Sequence, residues 1–528
     1  MSTDKSEQFN PRESIAKSAG IISLATLASR LLGFIRDVVI ARIFGVYLYA
    51  QAFVIAFRIP NLFRDLVGEG ASNAAFVPVF SEYNAKHSKE EFWELANIVL
   101  NILLVILMSI VLLGIIFSPL IVRMIAPGFI VSPEKLAVTV QLNRIIFPYV
   151  LLISLAAYSM GILNSLKHFA IPAFGPCLLN ISLIVFVLLF GEGIKGLALG
   201  VLIGGVLQLA IQIPILYKKG FRFRFLIKFS HPAVKSIGRL MVPRIFSSSI
   251  YHLNNFVDSI FGSLVWIVGE GGVAILYFAY RLIQFPLGVF SNALAQAILP
   301  TLSTQALEDN RDNFQKTLSW GLRIVFFAML PASVGLFVLA RPIISTLFGG
   351  GRFDLSSVNL TASALSFYSI GLSAYGATRI LQNGFFAIKD TKTPAKVASL
   401  ALIVNIVLNA ILMFPLKISG LALATSISGI NTFIILFVIF KRKTGALYTR
   451  DILVSFMRIL IASLCMGVVC YFLSQRYIIF EGNILARFLR LGSVIILGLV
   501  SYIGFCFIFR VKELRQLRDW LIKKTSLL

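Results

Sequence analysis

Residues 95–117, LANIVLNILLVILMSIVLLGIIF, run without a single charge over a length that crosses the hydrocarbon of a bilayer, which takes about 20 residues as a helix. Residues 172–190 and 489–509 are of the same kind, and a water-soluble domain has no place for them. In hydrocarbon every backbone polar group needs an internal partner, so runs of this length select helices. The composition agrees, with 58% hydrophobic residues against 13% charged and a mean hydropathy of +0.88. An all-α polytopic membrane protein follows. Apolar segments divided by charged or Pro/Gly breaks give about fourteen transmembrane helices. No small-residue cleavage site follows the first of them, so it is expected to stay. The connections leave no room for an extramembrane catalytic domain, which points to a transporter acting in or at the bilayer rather than to an enzyme.

The net charge is +25, and its distribution matters more than its size. Lys and Arg crowd the N-terminus, residues 86–89, 218–228, 389–392, 441–443 and the C-terminal tail, whereas 46–50 and 266–273 carry none. That alternation places both termini in the cytoplasm by the positive-inside rule. The stretch KKGFRFRFLIKF, 218–229, interleaves bases with aromatic residues as single-stranded RNA sites do. A juxtamembrane segment facing anionic membrane lipids is the favoured reading of it, and no nucleic-acid partner is expected. The four cysteines fall in apolar spans and the four histidines are scattered, so neither a disulfide framework nor a metal site is expected.

The two halves of the chain repeat one another. AFRIPNLF and AFVPVFSEY (56–83) align with AYRLIQFP and AILPTLSTQ (279–305), which sets Arg58 over Arg281 and Pro78 over Pro300. Pro119 then meets Pro342, Pro172 meets Pro394, and GLAL at 196 recurs at 420. This constant spacing covers about six spans, an even number, so the copies share one orientation and are related by an axis along the membrane normal. The expected organisation is a cytoplasmic tail at 1–16, a first lobe at 17–219, a basic cytoplasmic linker at 220–233 and a second lobe at 234–443. Two further helices at 444–510 and a cytoplasmic tail at 511–528 complete it. In lobed transporters of this kind the substrate site lies near the midplane and access alternates by rocking of the lobes.

Charge inside the spans locates the candidate site. An arginine near the bilayer centre costs roughly 2.5–3.5 kcal/mol on insertion scales, so it normally faces a cavity or a partner. The first two spans carry Arg30, Arg36, Arg42, Arg58 and Arg64, the second half adds Arg281, and the nearby acids Asp37, Asp65 and Glu69 are fewer. The cavity these define is positive, so its ligand is anionic. Six residues turn a helix through about 600°, leaving Arg30, Arg36 and Arg42 roughly 120° apart in succession. A bend at Gly33 would bring Arg30 and Arg36 toward one site, with Arg42 left as an interfacial anchor. Asp37 shares a face with Arg30, and Asp65 with Arg58, as ion pairs or gates. Pro60 and the VGEGA run (67–71) predict a broken second helix. Asp258, Asn405 and Asn409 place oxygens inside later spans, where a cation site and polar interhelical packing are both open readings.

SRLLGFIRD (29–37), ARIFG (41–45), PNLFRDLVGEGA (60–71), AFVPVF (75–80), YRLIQFPLGVF (280–290), ILPTLS (298–303) and FFAIKDTKTP (385–394) resemble the MurJ (MviN) family of bacterial lipid II flippases. That family sits in the superfamily of multidrug, oligosaccharidyl-lipid and polysaccharide exporters. The resemblance implies two MATE-like lobes forming a V-shaped cationic cavity. It also implies transfer of an undecaprenyl-diphosphate-linked disaccharide-pentapeptide to the outer leaflet of the bacterial inner membrane, for peptidoglycan synthesis. It assigns diphosphate binding to Arg30, Arg36, Arg64 and Arg281, with Ser29 and Asp37 beside the first two. Arg58, Glu69 and Gly33 join them as supporting or gating residues. Gln51 departs from the acid common in the family, and Asn409 lacks a charge. No cofactor is expected; membrane potential or a monovalent cation is the candidate driving force, and cell-wall synthesis or division proteins are candidate partners. The rivals are a flippase for another polyprenyl-diphosphate-linked oligosaccharide and a MATE-like exporter, whose cationic drugs would call for acids in the cavity. A membrane glycosyltransferase would need paired carboxylates near one membrane face.

Overall fold

A computed structural model describes residues 11–65, 75–308, 311–445, 447–477 and 483–516, excepting the side chains of 11–19, 243–252, 255 and 477. Among these residues the secondary structure is helical, apart from one isolated bridge between Gly350 and Phe353. The chain divides into two compact units, residues 1–44 with 48–252, and residues 45–47 with 253–528.

The first unit holds α1 (Pro11–Phe44), α2 (Leu48–Phe63), α3 (Val77–Lys86), α4 (Lys89–Ile116), α5 (Ser118–Ile125), α6 (Pro133–Ile146), α7 (Tyr149–Ser165), α8 (Ala170–Phe190), α9 (Ile194–Ala210) and α10 (Ile213–Lys218). Local chemistry sets several ends. Ser88 caps α4 by accepting from the Glu91 amide while Glu91 accepts from the Ser88 amide, satisfying two donors that a helix start leaves open. One face of α4 meets a core of Phe76, Phe80, Phe92 and Tyr158, whose hydroxyl donates to the Ala96 carbonyl at 2.6 Å. The opposite face, with Leu112, Leu113 and Ile116, stays exposed for lipid. In α9, Gly200 and Gly204 lie so close to α8 that a Cβ would come within 2.8 Å of Leu183 Cα and 2.9 Å of Leu179 Cα. Small residues four apart let two membrane helices meet backbone to backbone, where dispersion replaces the hydrophobic effect that lipid does not supply. The far side of α8 packs against α1.

The division between units falls inside α11 (Pro232–Gly262). The second unit continues with α12 (Val265–Val268), α13 (Gly272–Pro286), α14 (Asn292–Leu307), α15 (Arg311–Val338), α16 (Ala340–Leu347), α17 (Leu355–Ile370), α18 (Leu372–Ala387), α19 (Lys392–Thr444), α20 (Thr449–Tyr477) and α21 (Ile484–Ile508). Lys417 interrupts α19 with a non-helical backbone, φ 51° and ψ −130°, so its 53 residues form two helical arms. In α21, Leu491, Val494, Gly498 and Tyr502 are buried at spacings of three and four, while Leu489, Ile496, Val500 and Phe507 face outward.

The repeat is present in the elements themselves. The starts of α4 and α15 (Lys89, Arg311), α5 and α16 (Ser118, Ala340), α6 and α17 (Pro133, Leu355), and α8 and α19 (Ala170, Lys392) are each separated by 222 residues. Even the turn before α8 recurs. Lys167 and Lys389 both take positive φ, 58° and 60°, and the following amides, His168 and Asp390, close the same six-residue turn onto Leu163 and Phe385.

Nine helical segments among the described residues are long and apolar enough to cross a membrane, with Leu48–Phe63 a shorter apolar helix. Length and apolarity therefore do not by themselves reach the expected fourteen. That count also included the arginine-bearing α1, the polar α11 and two separate spans within α19.

Candidate functional site

α1 is an unbroken helix through Gly33, and its arginines meet different surroundings. Arg36 is buried, 6% exposed, beside Asp37 at 0%. Its Nη2 and Nε donate to Asp37 Oδ1 at 2.7 and 3.0 Å, and its Nη1 donates to Asn180 Oδ1 of α8 at 3.0 Å. The Asn180 amide in turn donates to the carbonyls of Ser29 and Pro176, both at 3.1 Å. A guanidinium in a membrane protein is costly unless it is neutralised and hydrogen-bonded, and this arrangement neutralises it and engages all three of its nitrogens. Arg30 lies on another face, exposed, with no ion pair among the described residues. Arg42 is half-buried near the other end of the helix.

The second arginine group comes from α2. Arg64, just past its end, donates Nε and Nη2 to Asp65 Oδ1 at 3.2 and 3.1 Å, with both side chains partly open to solvent. The ion pairs thus join adjacent residues, Arg36 with Asp37 and Arg64 with Asp65. Arg58 is half-buried on α2, which continues through Pro60 to Phe63 before a π-helical turn. Arg36, Arg64 and Asp65 all lie within electrostatic reach of Tyr149, whose hydroxyl donates to Gln208 at 3.1 Å. Glu69 and the VGEGA run lie outside the described residues. Gln51 of α2 is fully buried, and neither its amide nitrogen nor its oxygen has a hydrogen-bond partner among the described residues.

In the second unit, Arg281 stands half-buried on α13, its Nη1 3.4 Å from Gln284 Oε1. A π-helical turn, Leu287–Ser291, follows α13 as one follows α2. On α19 the Asn409 amide donates to Asn405 Oδ1 at 3.0 Å, and the Asn405 amide donates to Thr425 at 3.2 Å. Both asparagines are buried, and Asp258 is half-buried on α11. No group of three or more His, Cys, Asp or Glu able to hold a metal ion occurs among the described residues.

The sequence reading missed Asn180, Tyr149 and Gln208. Asn180 had left a signal, being the one amide side chain in the 21-residue apolar helix α8. A polar side chain in such a helix normally has an interhelical partner. Chemically, Arg36 is a neutralised and oriented fixture, Arg64 is a solvent-accessible pair able to exchange its carboxylate for another anion, and Arg30 is a guanidinium open to one.

Repeated helical lobes with guanidinium groups inside their spans define a multi-pass membrane transporter. A solved inward-facing multidrug resistance MATE family transporter of the MOP superfamily has the same fold, with a TM-score of 0.68 over 80% of this chain and 96% of that one, at 17% identity. The model of the lipid II flippase MurJ family matches residues 40–489, and the chain belongs to that family. The probable lipid II flippase MurJ of Buchnera aphidicola subsp. Acyrthosiphon pisum is 36% identical over 455 residues, 85% of this chain and 88% of that protein. That of Vibrio cholerae is 34% identical over 515 residues, 95% and 98% of the two chains. A solved lipid II flippase MurJ in an inward closed conformation superimposes with a TM-score of 0.77 at 30% identity, covering 92% and 98%.

Proposed function

We propose that this chain is a lipid II flippase: it moves the undecaprenyl-diphosphate-linked disaccharide-pentapeptide from the cytoplasmic to the outer leaflet of the bacterial inner membrane by alternating access. Family membership supports the substrate. The observation that carries the chemistry is the contrast along α1 between a neutralised Arg36 and an exposed Arg30 that has no ion pair among the described residues. A diphosphate carries about two negative charges, and guanidinium groups offer it bidentate, charge-assisted hydrogen bonds. Arg30 and Arg281 are the proposed direct ligands, one from each unit, Arg64 joins by releasing Asp65, and Arg36 fixes α1 itself. The polyprenyl tail stays in lipid while the headgroup crosses. Membrane potential helps to reset the emptied cationic site, at about 2.3 kcal/mol per charge per 100 mV through the full field.

A monovalent cation held by Asp258, Asn405 and Asn409 is a second element of the proposal. The buried Asn409 Oδ1 has no hydrogen-bond partner, so an oxygen is available to such an ion. Sodium-dependent thermal stability that persists unchanged in Asp258→Ala would remove Asp258 from that role.

The deciding experiment depletes the native flippase in cells supplied with this chain and measures lipid II reaching the outer leaflet. Wild type is expected to sustain export, and Arg30→Ala and Arg281→Ala to abolish it at normal expression. Export retained by both variants refutes the diphosphate assignment. Failure of the wild type in membranes where it is present and folded redirects the proposal to a different polyprenyl-diphosphate-linked oligosaccharide.

A further inference from the structure

Two buried asparagines on α4, Asn97 and Asn101, take no part in the site described above. They lie one helical turn apart and are 1% and 0% exposed. Both face the segment that follows α10. Asn97 donates to the Arg222 carbonyl at 2.9 Å and accepts from the Arg224 amide at 2.7 Å. Asn101 donates to the carbonyls of Arg224 and Leu226 at 2.7 and 3.1 Å. The side chains therefore stand in for a neighbouring strand, satisfying four backbone groups of a segment that has no regular structure of its own. Phe221 is rooted against Trp93, with ring centroids 5.7 Å apart, and Lys228 returns to Glu94 at 2.7 Å. Residues 221–228 thus form a loop that descends along α4 from Trp93 to Asn101 and climbs back.

The descent covers about 12 Å at 1.5 Å per residue. One turn beyond Asn101, Val105 and Ile106 are exposed apolar residues of the lipid-facing part of α4. The low point of the loop therefore reaches the edge of the hydrocarbon, where irregular backbone is tolerated only if its polar groups are filled by protein. Asn97 and Asn101 supply that. At this depth Phe223 and Phe225 are 53% and 73% exposed, and Phe229, just past the returning Lys228, is 59% exposed. Rings left open on a segment so firmly held have a partner outside the protein.

The charges beside them identify it. Arg222 is committed to the Tyr217 ring and to the carbonyls of Tyr217 and Phe221, and Lys228 to Glu94. Lys218, Lys219 and Arg224 are exposed and form no ion pair among the described residues, although Arg224 lies within electrostatic reach of Glu94. Aromatic rings at the acyl boundary with free cations above them match an anionic phospholipid, each basic group near such a surface contributing about 1 kcal/mol. Single-stranded RNA would also stack on the rings, but it does not reach the hydrocarbon edge.

We propose that residues 218–229 are a lipid-binding strap. Phe223 and Phe225 enter the acyl region of the facing leaflet, Phe229 lies at its boundary, and Lys218, Lys219 and Arg224 bind the phosphates of anionic phospholipid. The test places the full chain in nanodiscs of phosphatidylcholine alone, or of equal parts phosphatidylcholine and phosphatidylglycerol, and follows amide hydrogen exchange by mass spectrometry. Exchange across 218–229 is expected to slow several-fold with phosphatidylglycerol. Lys218→Gln with Lys219→Gln and Arg224→Gln, all at exposed positions, is expected to remove that several-fold slowing without lowering the melting temperature. Lys441→Gln with Arg442→Gln, on a different connection, is expected to leave it in place. Equal exchange in the two lipids overturns the proposal, as does slowing that survives the triple substitution. Protection by a single-stranded oligoribonucleotide in phosphatidylcholine discs, exceeding that from phosphatidylglycerol, reassigns the segment to nucleic acid.

Discussion

Arg36 and Arg30 sit six residues apart and do different work, and variants separate the two. Asp37→Asn leaves a buried guanidinium without its counter-charge, for which the expected loss is about 3–5 kcal/mol. That is readable as a marked drop in melting temperature in detergent. Arg30→Gln, at an exposed position, is expected to change stability by less than about 0.5 kcal/mol while stopping lipid II export. Equal melting temperatures for wild type and Asp37→Asn would refute the fixture role of Arg36. Gln51 gives a prediction of opposite sign. Two buried amide atoms without partners cost about 1–3 kcal/mol, so Gln51→Leu is expected to raise the melting temperature. The arginines themselves were legible in the sequence, because charge in an apolar span stands out. Their partners were not. Helical faces suggested Asp37 for Arg30, whereas the long Arg36 side chain curls back onto its immediate neighbour. Asn180, 144 residues away, completes the shell by a contact that no local pattern encodes.

Elements show the same division. Span-length apolar runs and the 222-residue repeat were readable because membrane insertion and duplication both write directly into sequence. The break at Lys417 was readable too, as the Pro415–Gly420 boundary between two expected spans, but the residue that carries it was not, since a positive φ at lysine has no local signature. Nor did Pro60 end α2, which carries on for three residues before the π-helical turn. The α8–α9 pair depends on the glycine approach, so Gly200→Leu is expected to force the helices apart. The loss should be at least the 1–3 kcal/mol of an overpacked core, and it would loosen the support of Asn180 behind α1. In the second unit, Asp390 ties the start of α19 to its end through Lys443. Burial pushes its carboxyl up, but hydrogen bonds from Lys443 and Thr393 outweigh this and hold it at about 2, below the ordinary 3.8. A depressed carboxylate stabilises the fold above its unfolded pKa and ceases to do so as pH falls through the folded one. Roughly 1–2 kcal/mol is therefore expected to disappear between about pH 4 and pH 2, and Lys443→Met should abolish most of that dependence.

The charge of the whole molecule sets its orientation, a property that no single helix carries. Within the second unit, one set of connections gathers Lys389, Lys392, Lys441, Arg442 and Lys443, while the connection at 263–271 holds Glu270 and no base. The positive-inside bias arises from short loops such as these, and it predicts that the basic set faces the cytoplasm. Cys177, Cys470 and Cys506 are buried, so only Cys465 needs replacing by Ala to prepare a background for labelling. On that background, Lys441→Cys and Glu270→Cys put thiols at exposed positions of the two kinds of connection. A membrane-impermeant maleimide added to intact spheroplasts is expected to label Glu270→Cys at once, and Lys441→Cys only after the membrane is opened. Labelling of both from outside would break the orientation. It would then remove the cytoplasmic leaflet as the place where the strap at 218–229 meets its lipid and where Arg30 first meets a diphosphate. The reverse pattern would require the exported headgroup to travel toward the side on which it is made.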